Sequence, residues 1–151
     1  MNKHDRNIKN RLLYTGMILT LLLNIPYAEA SHTHTEADYQ AVWCNYHKGD
    51  IEVKLNDYTR ADCITKTHAI EFDFANKWAE SIGQALYYSI KTNKRAGIVL
   101  IIEEPLKDNY YLNRVLKVAK KHKIDVWTMQ DINDTNSIVY KRGGLFHLWK
   151  K

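Results

Sequence analysis

The chain of 151 residues holds only two cysteines, two prolines and six glycines. So little Gly and Pro excludes a linker-like or low-complexity chain, and no stretch of the sequence repeats itself. Neither cysteine belongs to a C-x-x-C pair, which argues against a zinc centre. An apolar run fit to span a bilayer is also missing. Charge of one sign is not dominant either. The formal net charge is +5, with about a quarter of the residues charged, so contact with a polyanion is permitted but not indicated.

The N-terminus is more informative. Residues 1–11 are polar and basic, and 12–25 (LLYTGMILTLLLNI) are apolar but short. Pro26 breaks that run, and Ala28-Glu29-Ala30 puts small residues where a signal peptidase needs them. Residues 1–30 are therefore expected to be a secretory signal peptide, with one soluble domain over 31–151, periplasmic or secreted. An uncleaved anchor is the alternative, and it leaves the domain on the same side of the membrane. Cleavage removes Lys3, Arg6, Lys9 and Arg11 against Asp5 and Glu29, so the remainder stays mildly basic. In an oxidising compartment Cys44 and Cys63 form either one disulfide or two buried thiols. His32 and His34 read as part of a free polar tail rather than a metal clip.

Periodicity predicts a helix over 36–47, with Tyr39, Val42, Trp43 and Tyr46 on one face. Strands follow at 51–55, 60–65 and 68–74, then a helix at 76–91. The continuous apolar run 95–103 predicts a strand buried on both faces, stopped by Pro105. An amphipathic helix at 109–122, a strand at 124–129 and a hairpin within 137–149, turning at Gly143-Gly144, complete the reading. The fold class is thus α/β, a mixed sheet flanked by helices on both faces with a C-terminal hairpin.

The third strand carries the chemistry. Ile70, Phe72 and Phe74 share one face, so Ala69, Glu71 and Asp73 share the other. A short turn at Lys66-Thr67 would bring Asp62 of the preceding strand close to that pair. Three converging carboxylates repel one another, and oxygen ligands of this kind select Mg²⁺ or Mn²⁺. On the next helix Lys77, Ser81, Gln84 and Tyr88 make a polar stripe beside an apolar face of Trp78, Ile82, Ala85 and Leu86. Solvated acids on an open sheet face are the plain alternative.

Asp62, Glu71, a nearby lysine and Gln84-x-x-x-Tyr88 together resemble the PD-(D/E)XK nuclease superfamily, in particular its RecB-type members with a QxxxY motif. The segment 67–80 also resembles a group of small exported bacterial proteins. The resemblance implies an αβββαβ restriction-endonuclease-like core and metal-dependent hydrolysis of phosphodiester bonds, with DNA the partner before RNA and no strong sequence preference. It implies Asp62, Glu71 and Lys77 as catalytic, Gln84 and Tyr88 as substrate-binding, and Asp62, Glu71, Asp73 and Glu36 as metal ligands. One departure stands out: the family's E-x-K lysine falls at Asp73, so Lys77 must substitute for it. Lys66 and Lys91 are candidates to follow a phosphate backbone. The alternatives are an inactive nuclease-fold binding module and an envelope protein that binds a structural cation.

Overall fold

The computed structural model describes residues 32–141 together with the backbone of Gly144 and Leu145. The expected signal peptide and the end of the expected hairpin lie outside the described residues. Helix α1 spans Glu36–Tyr46, and strands β1 (Asp50–Lys54), β2 (Arg60–Ile64) and β3 (His68–Phe74) follow. A 3₁₀ turn, Ala75–Lys77, leads into α2 (Trp78–Thr92). After it come β4 (Arg95–Ile101), α3 (Pro105–His122), β5 (Asp125–Met129), β6 (Ile138–Lys141) and β7 (Gly144–Leu145). The elements expected from the sequence are present, with ends displaced by a few residues. The largest shift is at Pro105, which does not merely end a strand. It opens α3 at the first helical position, where its missing N–H costs nothing.

The seven strands lie in the order β1-β2-β3-β4-β5-β6-β7. Strands β1, β2 and β3 are antiparallel neighbours, whereas β3, β4 and β5 run parallel and β6 returns antiparallel. Parallel neighbours require crossovers, which α2 and α3 supply. Both pack on one face of the sheet, where Ala85, Val115 and Ala119 meet Ile98, Leu100 and Val126. Helix α1 covers the other face, where Tyr39, Trp43 and Cys44 meet Ile70, Phe72, Val99 and Trp127. The result is an α/β protein with a mixed sheet between helical layers.

Local sequence explains the ends. Thr35 and Asp38 form a capping box that starts α1: the Thr35 amide donates to the Asp38 carboxylate at 2.8 Å, and the Asp38 amide donates to Thr35 Oγ1 at 3.3 Å. At the sheet centre, a Cβ on Gly97 would collide with the Ile70 side chain and sit 3.0 Å from Trp127. The absent side chain lets β3 and β5 side chains meet across β4.

Cys44 and Cys63 are joined in a disulfide with Cα atoms 6.0 Å apart, which closes the question the sequence left open and ties α1 to β2. Gly49 sits against it; a Cβ there would lie 2.6 and 2.7 Å from the two sulfurs. By the loop-entropy relation, a bridge across a separation of 19 residues contributes about 3 kcal/mol. Replacing both cysteines by Ala is expected to lower the urea-unfolding free energy by about that amount. An unchanged unfolding midpoint would contradict it.

Candidate functional site

Strand β3 is buried almost throughout, yet it alternates in character. Its apolar side faces α1, and its other side carries Ala69, Glu71 and Asp73 toward α2. Ala69 packs with Tyr88 of α2 and Ala61 of β2. Glu71 and Asp73 are each only 4% exposed, although the sequence left them an open sheet face as the plain alternative. A buried carboxylate is expensive unless paired or hydrogen-bonded. Glu71 Oε2 has no hydrogen-bond partner.

Asp62 reaches the same neighbourhood by an irregularity. Strands β2 and β3 are registered through Cys63↔Ile70 and Ile64↔Ala69. Next to that ladder the Asp62 side chain stands in for a backbone acceptor, and its Oδ2 takes the Phe72 amide at 2.8 Å. That bond fixes the carboxylate between the strands. From α1, buried Gln40 holds the backbone here, its amide donating to the Asp62 carbonyl at 2.7 Å and to Glu52 Oε1 at 3.0 Å.

Lys77 is the cation beside Asp73 and Glu36. Its Nζ lies 3.8 Å from Asp73 Oδ1 and 4.0 Å from Glu36 Oε2, and half of the side chain is exposed. It ends the 3₁₀ turn and precedes α2, so a residue expected inside a helix sits at a bend that aims it back over β3. Glu36, the acid predicted from the first helix, does join the group.

The charges are unbalanced. Burial pushes the Glu71 carboxyl far above its ordinary range, with Asp62 and then Asp73 adding to it. Asp62 is likewise raised by burial, against the Phe72 amide, which favours its ionised form. Asp73 is pushed up to about 7 by burial and then by Glu36, although Lys77 opposes both. Burial also raises Glu36. Glu52 raises Glu36, Asp62 and Glu71 alike, and the sequence reading had passed over it. It lies within the strand expected over 51–55, whose pattern has nothing local to single it out. Its left-handed backbone (φ 56°) and its ion pair with Arg60 at 2.6 Å are not legible from that pattern.

The polar stripe of α2 divides. Ser81 and Tyr88 are buried with Ala85 against the sheet, while Lys77 and Gln84 are exposed. Trp78, Ile82 and Leu86, the apolar face beside that stripe, are only partly buried against the core. Tyr88 faces the acids: its pKa is raised first by burial, then by the Glu71 and Asp62 charges, with Gln84 pulling the other way. Tyr88 is thus enclosed beside the carboxylates, and Gln84 is the member of the pair that solvent reaches. Lys91 is engaged with Asp57 at 3.1 Å. The expected free tail is docked instead: His32 stacks on Phe74 at 3.7 Å and bonds Glu103, and His34 meets the Tyr39 ring edge-on.

The hard oxygen donors suit Mg²⁺ or Mn²⁺, and the unpartnered Glu71 oxygen is the kind of atom a cation satisfies. Among the described residues, however, no three His, Cys, Asp or Glu side chains stand so that they could hold one ion as they are. Asp62 is committed to the Phe72 amide and Asp73 lies beside Lys77. Charge coupling therefore links acids that do not yet form a ligand sphere.

A second polar group escaped the sequence reading. His68 Nε2 and Asp125 Oδ2 lie 2.7 Å apart, His68 Nδ1 meets Thr67 Oγ1 at 2.9 Å, and the Arg95 guanidinium is 3.5 Å from Asp125. His68 and Asp125 bond across β4 where Gly97 has no side chain. Only the parallel register brings residues 57 positions apart together, so no short-range signal could have found the pair.

No protein-family model matches this chain, nor does any curated protein or solved structure.

The buried acids fix a pH dependence. A carboxyl held above its unfolded value costs nothing at acid pH, where both states are protonated. Above about pH 4 the unfolded chain loses its proton first. Stability then falls as pH rises, through about 7 for Asp73 and further for Glu71. Urea unfolding in chelator is expected to show a declining free energy between those limits. Glu71→Gln should flatten the decline and stabilise the protein at neutral pH. A wild-type curve that rises over this range would contradict the burial of these acids.

Proposed function

We propose that the chain is an exported, metal-dependent nuclease of the PD-(D/E)XK type, acting on DNA without strong sequence preference. The observation that carries the reading is the pairing of two buried carboxylates, Glu71 and Asp73, with the Lys77 amine 3.8 Å from Asp73 and an unpartnered Glu71 oxygen beside them. The element order α1-β1-β2-β3-α2-β4 supports an αβββαβ core, and the disulfide supports an oxidising compartment. No helix among the described residues is long and apolar enough to cross a membrane.

Asp62, Glu71 and Asp73 would hold Mg²⁺ or Mn²⁺, with Glu36 as a further carboxylate. When bound, such a cation supplies Lewis-acid help to water attack and to the charge that grows on the phosphate. Lys77 replaces the lysine missing from position 73, orienting the attacking water or a phosphate oxygen from its half-exposed post. Asp73 holds that amine. Gln84, exposed on α2, can donate to a neighbouring backbone phosphate, whereas Tyr88 lies buried beneath it. The alternative reading is an inactive module of the same fold. It draws on the lack of a ready three-ligand group among the described residues.

Incubation of the purified protein with linear and single-stranded DNA and with RNA tests this. Cleavage is expected with Mg²⁺ or Mn²⁺, lost in chelator, and abolished in Glu71→Ala and Asp73→Ala. Lys77→Ala should slow it by roughly 10²-fold or more, the usual contribution of a positioned proton-handling group. Folded protein that binds Mg²⁺ but leaves every substrate intact would favour the inactive module.

A further inference from the structure

The opposite end of the parallel strands carries charge of the other sign. Three links meet there: the β2–β3 turn at Lys66-Thr67, the α2–β4 link at Asn93-Lys94 and the α3–β5 link at Lys123. Asn93 and Lys123 close their helices in left-handed conformations, φ 52° and 59°. The links are tied together, since Lys94 Nζ donates to the Lys66 carbonyl at 3.0 Å and the Arg95 amide to the Thr67 carbonyl at 3.0 Å. Between them lies a cleft of about 440 Å³ whose lining includes Lys66, Lys94, Arg95, His122 and Lys123 but no carboxylate.

Such residues often serve helix ends, where cations offset the negative pole. Two helices end here, each worth roughly half a charge, and that does not explain four lysine or arginine cations with a histidine around one hollow. Nor does an acid balance the three lysines among them. Asp125 behind the cleft is already held by His68 and Arg95, and among the described residues Lys66, Lys94 and Lys123 have no carboxylate within ion-pair distance. Mutual repulsion of this kind is relieved by an anion.

We propose that this cleft is a phosphate-binding site, separate from the acidic group of β3. Its volume of about 440 Å³ leaves room beyond a lone phosphate, so it admits a phosphate ester as well as the free ion. The lysines and Arg95 neutralise the oxyanion, while Thr67, Ser89 and Asn93 offer hydroxyl and amide donors around it. Because the helix poles here are negative, side chains supply all of the attraction, and binding depends strongly on salt.

Amide NMR of the full chain in chelator, at constant ionic strength, tests the site. The titrants are inorganic phosphate, a 5′-phosphorylated mononucleotide and vesicles of phosphatidylglycerol, against chloride. Saturable shifts centred on Thr67, Asn93 and Lys123 are expected with phosphate, and tighter ones with whichever ester is the source. The double change Lys94→Ala with Lys123→Ala should weaken binding at least about tenfold. Lys94→Arg with Lys123→Arg should retain it, as should Lys107→Ala, whose lysine faces Glu104 instead. Shifts that chloride reproduces, or an affinity unmoved by the double Ala change, overturn the proposal. Glu71→Gln is expected to bind phosphate as wild type does, so failure of the acidic site and failure of this cleft are read separately.

Discussion

Strand β3 has no open face. One side must pack on Tyr39, Trp43 and their neighbours, and the other lies under α2, yet that second side carries Glu71 and Asp73. Two acids in such a place would be ionised in water and resist ionisation here, and the surrounding architecture answers that conflict only in part. The Phe72 amide favours the ionised form of Asp62 without offsetting its burial, and Lys77 curls back from the 3₁₀ turn toward Asp73 and Glu36. Glu71 is left with one bare oxygen. A protein selected only for stability gains nothing from such a residue, since a leucine of similar size would bury with profit. Its presence is what the proposed cation site on the α2 side of β3 accounts for.

The sheet separates two chemistries along the same strands. Acids gather where β3 gives way to the 3₁₀ turn, and cations gather where β3, β4 and β5 begin. At the cation end the His68–Asp125 bond fastens β3 to β5 over Gly97, the one place on β4 where no side chain intervenes. The disulfide and Gly49 hold α1 and the edge strands in a comparable way.

Much of this was legible in the sequence because the elements are local and strongly patterned. The alternation over β3 assigned its two faces correctly, and the apolar run of β4 announced a strand buried on both sides. What the pattern could not supply was depth. Period-2 alternation says that Glu71 and Asp73 point away from Phe72, but whether α2 seals that side depends on a crossover far along the chain. The stripe on α2 failed for a related reason. Lys77 through Tyr88 share an angular sector, yet the boundary between the buried and exposed faces of α2 runs through it, so Tyr88 goes under and Gln84 stays out. Glu52, His68 and Asp125 were silent because each matters only through a partner from another element.

The central claim is that the β3 carboxylates wait for a cation. Carboxyl ¹³C NMR of the metal-free protein, followed as Mg²⁺ is added, tests it most directly. The account predicts saturable shifts at Glu71 and Asp73 together with release of protons to the solution, all absent in Glu71→Gln. Carboxyl signals that stay unmoved while Mg²⁺ is added would contradict it.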